Sequence, residues 1–93
     1  MAYNYFVAYD LIRPGQNYDA VTDRIKSLGI WAHMQFSLFY LQSEFSMAQV
    51  NALIREAMDQ NDRLAVIWAN DAFVSNYDMG NLSILRDVFQ RAA

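Results

Sequence analysis

Aromatic and aliphatic residues dominate the first ten positions. Tyr3 to Asp10 (YNYFVAYD) is partly β-branched and too short for a buried helix, which predicts a strand. Arg13-Pro14-Gly15-Gln16-Asn17 then supplies turn punctuation, with Asn17 placed to cap a helix from about Tyr18 to Leu28 that Gly29 stops. On that helix Tyr18, Val21, Ile25 and Leu28 recur at three- and four-residue steps and build one apolar stripe, while Asp19, Asp23, Arg24 and Lys26 lie mostly on other faces.

From Ile30 to Gln42 the period changes to two. Met34, Phe36, Leu38 and Tyr40 share one side, and Gln35, Ser37, Phe39 and Leu41 the other. Thirteen residues exceed an average strand, so the run reads as a tight or bulged hairpin broken near Gln35 to Ser37, or as one long strand. Ser46-Met47-Ala48-Gln49 matches a capping box and starts a second helix, which presents Met47, Val50, Leu53, Ile54, Ala57 and Met58 to a core and ends at Asp59-Gln60-Asn61-Asp62. Arg63 to Ala69 (RLAVIWA) is apolar after the arginine, the pattern of a strand that is central or covered on both sides. Asn70 to Gly80 reads as an irregular connection, after which Asn81 or Ser83 caps a short helix carrying Leu82, Leu85, Val88 and Phe89.

Strand, helix, β pair, helix, strand is the split βαβ order. It predicts an α+β fold, a ferredoxin-like βαββαβ sandwich with an added C-terminal helix. Residues 1–93 form a single domain, its core at about 3–70 and its helical extension at about 71–93. Two helices cover one sheet face, yet both faces are apolar: Tyr5, Val7 and Tyr9 oppose Phe6 and Ala8, and Leu64, Val66 and Trp68 oppose Ala65, Ile67 and Ala69. An open aromatic face would exceed the few hundred Å² that monomers usually expose, so the simplest expectation is a homodimer packed sheet to sheet. The alternative is intramolecular, with the C-terminal helix folded under its own sheet.

Composition restricts function by exclusion. With 55% hydrophobic residues and no apolar run near the ~20 residues a spanning helix needs, the chain is expected to be soluble, cytoplasmic and without a membrane partner. Its N-terminus lacks the basic start and small-residue cleavage site of a signal peptide. The absence of cysteine removes disulfides and thiolate metal sites, and a single histidine argues against an imidazole-rich zinc site, so any metal would rest on carboxylates. The net charge of −3 repels phosphate backbones in bulk, so nucleic-acid binding requires a local basic patch.

Asp10 ends the first strand at the rim of the sheet. It either starts a turn through its own neighbouring amides or, near a dimer two-fold, meets its counterpart to share a Mg²⁺ ion on hard oxygen ligands and support phosphodiester attack. His33 is the only side chain with an unperturbed pKa near neutrality, which makes it either the default general base or an ordinary half-exposed residue at a strand entrance. Arg13 and its loop neighbours either converge on phosphates across a dimer or stay solvated. Trp31, Trp68 and the tyrosines either stack bases or pack the core. No P-loop, GxGxxG, GxSxG or HExxH is present.

Tyr5-Phe6-Val7-Ala8-Tyr9-Asp10-Leu11 resembles the first strand of the small CRISPR-associated adaptation proteins, the Cas-two family, an apolar strand closing in Tyr-Asp. Met34-Gln35-Phe36-Ser37-Leu38-Phe39 is similar to that family's Gln-x-Ser-Val-Phe segment, and the second helix and the Asp62 to Trp68 strand follow at similar spacing, so the likeness covers about residues 3–70. The resemblance implies a ferredoxin-like homodimer with Asp10 at the interface as metal ligand, and either metal-dependent endonuclease action on RNA or DNA or a non-catalytic scaffold. Gln35 and Ser37 join Arg13 as candidate nucleic-acid-binding residues, and His33 joins Asp10 as a candidate catalytic residue. The virulence-associated protein D toxins, which are ribonucleases, are a more distant resemblance. The acidic balance, the Arg13 to Asn17 loop and the helical tail depart from the adaptation proteins and favour a stand-alone member, or a catalytically inactive dimeric module binding nucleic acid or protein.

Overall fold

In the computed structural model, which describes residues 2–12 and 18–91, the opening aromatic run forms strand β1 (Tyr3–Asp10). Helix α1 (Tyr18–Lys26), strands β2 (Ile30–Gln35) and β3 (Leu38–Ser43), helix α2 (Met47–Arg55), strand β4 (Arg63–Trp68) and helix α3 (Met79–Val88) follow, closed by a 3₁₀ turn at Phe89–Arg91. The four strands make one antiparallel sheet in the order β2-β3-β1-β4, compatible with the ferredoxin-like expectation. The Asn17 cap expected for α1 lies outside the described residues.

Cross-strand register sorts the side chains into two layers. Tyr5 lies opposite Leu41 and Trp68, Val7 opposite Phe39 and Val66, and Tyr9 opposite Leu64, so these residues share the face on which Val21 and Ile25 of α1 and Val50 and Ile54 of α2 close the main core. Each such fully buried aliphatic side chain contributes about 1.5–3 kcal/mol. The helix ends follow local chemistry. Ser46 and Gln49 form the reciprocal capping box read from the sequence, and α1 closes earlier than expected, at Lys26, with Ser27 and Leu28 in a tightened turn. Gly29 follows because the β3 backbone passes directly over it: a Cβ there would collide with the main-chain carbonyl of Gln42.

Further expectations need correction: helix α2 ends at Arg55, before Asp59, and leaves Met47 exposed at its first position. Strand β4 is an edge strand covered on one side only, with Ile67 and Trp68 more than half exposed, because no further strand or helix reaches its outer corner among the described residues. The N-cap of α3 is Asp78, whose carboxylate accepts the Asn81 amide at 2.9 Å; Asn81 sits one turn in and Ser83 further still. Phe36 does not share the side of Met34. The hairpin turn falls at Phe36-Ser37, and the Phe36 ring leans on Tyr18 of α1 at 4.9 Å between centroids.

The second sheet face carries a smaller core of Ala32, Met34, Tyr40 and Leu85, with Phe6, Ile84, Val88 and Phe89 packed against it. Helix α3 thus covers the β2-β3 half of this face within the same chain, as in the intramolecular alternative. The attachment is polar as well as apolar. Asn4 donates to the Phe89 carbonyl at 2.8 Å and Gln42 to the Val88 carbonyl at 2.7 Å, so two buried sheet amides receive the C-terminal carbonyls of α3. The Tyr40 hydroxyl donates to Asn4 Oδ1 and completes the network.

Candidate functional site

Where α3 stops covering the second face, the far ends of β1, β3 and β4 frame an open depression of about 390 Å³. The small residues Ala8 and Ala65 leave the room, and Asp10, Gln35, Ser37 and Arg63 supply the polar groups around it. Three local features bring these four together.

The first is the hairpin. The Tyr9 amide donates to the Ser37 carbonyl at 3.1 Å, extending the β1-β3 ladder one step past Leu38 and setting Ser37 beside the end of β1. The second is a bulge. His33 pairs with Phe39 but Gln35 pairs with Leu38, so Met34 is the extra residue on β2. Regular alternation would have sent Gln35 to the helix side with His33; the bulge puts it on the same side as Leu38, in the Asp10 depression. The third is the pairing of Asp10 with Arg63 across β1 and β4. Because Ala69 N–H donates to Asn4 O, alternation along the ladder makes Asp10 and Arg63 a hydrogen-bonded pair with Cα atoms about 5.5 Å apart.

The backbone beyond Asp10 is fixed from below. Asp62, itself buried, accepts the Ile12 amide at 3.0 Å through one carboxylate oxygen and the Asp59 amide at 2.9 Å through the other. Arg55 in turn donates to the carbonyls of Asp59, Gln60 and Asp62, closing the α2-β4 connection. The Tyr9 phenol is pushed up to about 12 by burial, reinforced by Tyr18, and donates to the Phe36 carbonyl, so it is a neutral brace under the site and not a base.

The structure brings Asp10, Gln35 and Ser37 to one place but not His33. His33 stacks on Phe39 on the helix side of the sheet, 4.1 Å between centroids and 12° from parallel, and its Nε2–H donates to the Phe36 carbonyl at 3.0 Å. Arg13 lies outside the described residues. Trp31 sits under Lys26 and Trp68 lies edge-on to Tyr3, both on the helix side, away from the depression. Arg63 is the member that sequence reasoning missed. It is visible as a cation at the head of an apolar strand, but nothing in the sequence gives the strand register that sets it opposite Asp10.

The donors facing the depression are oxygens and one guanidinium. A carboxylate, an amide oxygen and a hydroxyl suit a hard cation such as Mg²⁺ in kind. In number they fall short, since one chain offers a single carboxylate and no group of three or more Asp, Glu or His residues able to hold a metal occurs among the described residues.

No family model matches the chain. Among solved structures it is similar to a hypothetical protein, TT1823, from Thermus thermophilus, with a TM-score of 0.62, 20% sequence identity, and coverage of 85% of this chain and 98% of that one. At such identity the likeness concerns the fold, a small α+β sheet-and-helix layer, and no more. No helix among the described residues is long and apolar enough to cross a membrane.

Proposed function

We propose that the Asp10 depression is one half of a two-fold nucleic-acid site in a Cas-two-like homodimer. Asp10 of each copy would hold one Mg²⁺ ion for endonucleolytic hydrolysis of RNA or DNA. The observation that carries this reading is the convergence of Asp10 and Gln35 on the part of the second face left open by α3, with Ser37 of the hairpin turn lining the same depression. Ala8, Ala65 and Ile67 border that convergence and offer a second copy an apolar strip to cover. When bound, the cation would supply positive charge at the phosphate and acidify a water. The chain's own part is positional. Asp10 stands at the rim on a backbone anchored by Asp62, while Gln35 and Ser37 offer hydrogen bonds to a phosphodiester or its sugar. His33 has no part in this scheme, being on the other side of the sheet.

The test is Asp10→Ala. It should abolish Mg²⁺-dependent cleavage of single-stranded RNA and DNA while light scattering still finds a dimer; cleavage equal to that of the native chain removes Asp10 from the mechanism. A second reading, a catalytically silent binding module, draws on the single carboxylate that lines the depression and the net charge of −3. Purified protein that turns over neither substrate with any divalent cation would favour it.

A further inference from the structure

We infer that Arg63 is the phosphate-holding residue of the Asp10 depression, taking a phosphodiester group of single-stranded nucleic acid. The inference rests on the reading above for the class of ligand but not for catalysis.

An acidic chain repels a polyanion overall, so a phosphate must be met by a local cation free to turn toward it. The other described cations are occupied or elsewhere. Arg24 donates to the Leu53 carbonyl and pairs with Glu56 at 2.9 Å. Arg55 is spent on three main-chain carbonyls, and Lys26 sits 4.6 Å above the Trp31 ring. Arg86 faces a separate cleft beside Asp71. Arg63 alone among the cations whose side chains are described lines the Asp10 depression, exposed and with no side-chain hydrogen bond or ion pair among the described residues.

Geometry supports the assignment. Arg63 opens the edge strand β4, so its guanidinium projects where α3 leaves the face uncovered, and its planar fork can meet two phosphate oxygens at once. Asp10, its cross-strand partner, forms no ion pair with it. Asp10 instead sets a condition: without a cation its carboxylate repels the phosphate that Arg63 attracts. The two residues are thereby predicted to have opposite effects on metal-free binding.

The experiment is fluorescence anisotropy of a labelled single-stranded 20-mer, as RNA and as DNA, in EDTA so that binding is read without cleavage, at 50 and 200 mM salt. Arg63→Ala should weaken the Kd by about tenfold and flatten the slope of log K against log salt by about 0.7 per contact. Arg63→Lys should keep the slope but lose part of the affinity, since it keeps the charge and not the fork. Asp10→Asn should bind a few-fold more tightly than the native chain. Native binding and an unchanged salt slope in a folded Arg63→Ala protein would overturn the assignment, as would failure of the native chain to bind either oligonucleotide. The Asp10→Ala cleavage assay fails or succeeds independently: lost cleavage with undisturbed Arg63→Ala binding spares the nuclease reading, and the reverse spares the phosphate assignment.

Discussion

The side-chain amide of Asn4 donates to the carbonyl oxygen of Phe89 at 2.8 Å, tying the start of the first strand to the end of the last helix, eighty-five positions away. Gln42 does the same for Val88, and the two amides stand directly opposite one another across β1 and β3. Both are buried, so their polar atoms depend on α3 being seated, and no buried side-chain nitrogen or oxygen is without a partner among the described residues.

Asn4→Ala should therefore cost about 1–3 kcal/mol, since it orphans the Phe89 carbonyl and deprives the Tyr40 hydroxyl proton of its acceptor, leaving that hydroxyl only the bond from Gln42. At this chain length each kcal/mol corresponds to a fall in Tm of about 4–8 °C. Hydrogen exchange locates the effect: amides of α3 should lose protection while those of α1 and α2 keep it. Uniform loss throughout the chain would show that α3 is no separately pinned element.

Much of this fold is written in short-range signals. The bounds of β1, the capping box at Ser46 and the break of the hairpin near Ser37 follow from alternation and turn chemistry, and the structure has them in place. The limits of such signals appear where a residue's role is set by a neighbour distant in sequence. The RLAVIW run looks like a central strand because apolar residues fill both its sides, and only the sheet order shows that its outer side is open. Gln35 reaches the candidate site through a one-residue bulge, and period-two reasoning cannot place a bulge. His33 drew notice for its pKa class, while its position was decided by the ring of Phe39 beside it. Arg63, apparently an ordinary strand-leading cation, acquires meaning only through its pairing with Asp10.

Gly29 should resist substitution although it lies at the surface. A methyl group there runs into the Gln42 carbonyl, which is main chain and held in the β2-β3 ladder by the pairing of Ile30 with Gln42, so the strand itself must move. Gly29→Ala is expected to destabilise by about 1–3 kcal/mol, in the range of overpacked core sites. Gly80→Ala, whose nearest neighbour is the Asp78 side chain at 3.3 Å, is the control and should be tolerated with little loss. Urea midpoints compare the two, and equal midpoints would contradict the close approach.

Alkaline pH should unfold the protein through its buried phenols. Burial pushes both Tyr9 and Tyr40 up to about 12; the Tyr18 charge adds to the shift at Tyr9, whereas the hydrogen bond from Gln42 moderates it at Tyr40. An unfolded tyrosine ionises near 10. Between these values the folded state holds more protons than the unfolded one, so stability falls as pH rises through the interval and is unaffected by these groups below pH 10. Tyrosinate absorbance at 295 nm should accordingly include a late stage above pH 10 that appears only together with loss of the far-ultraviolet dichroism. Tyr40→Phe removes one late proton but takes from Asn4 Oδ1 one of its two hydrogen bonds, leaving the one from Gln42, so it should lower stability at neutral pH while making the alkaline decline shallower. Smooth ionisation of all six tyrosines near pH 10 with the secondary structure intact would show that Tyr9 and Tyr40 are open to water.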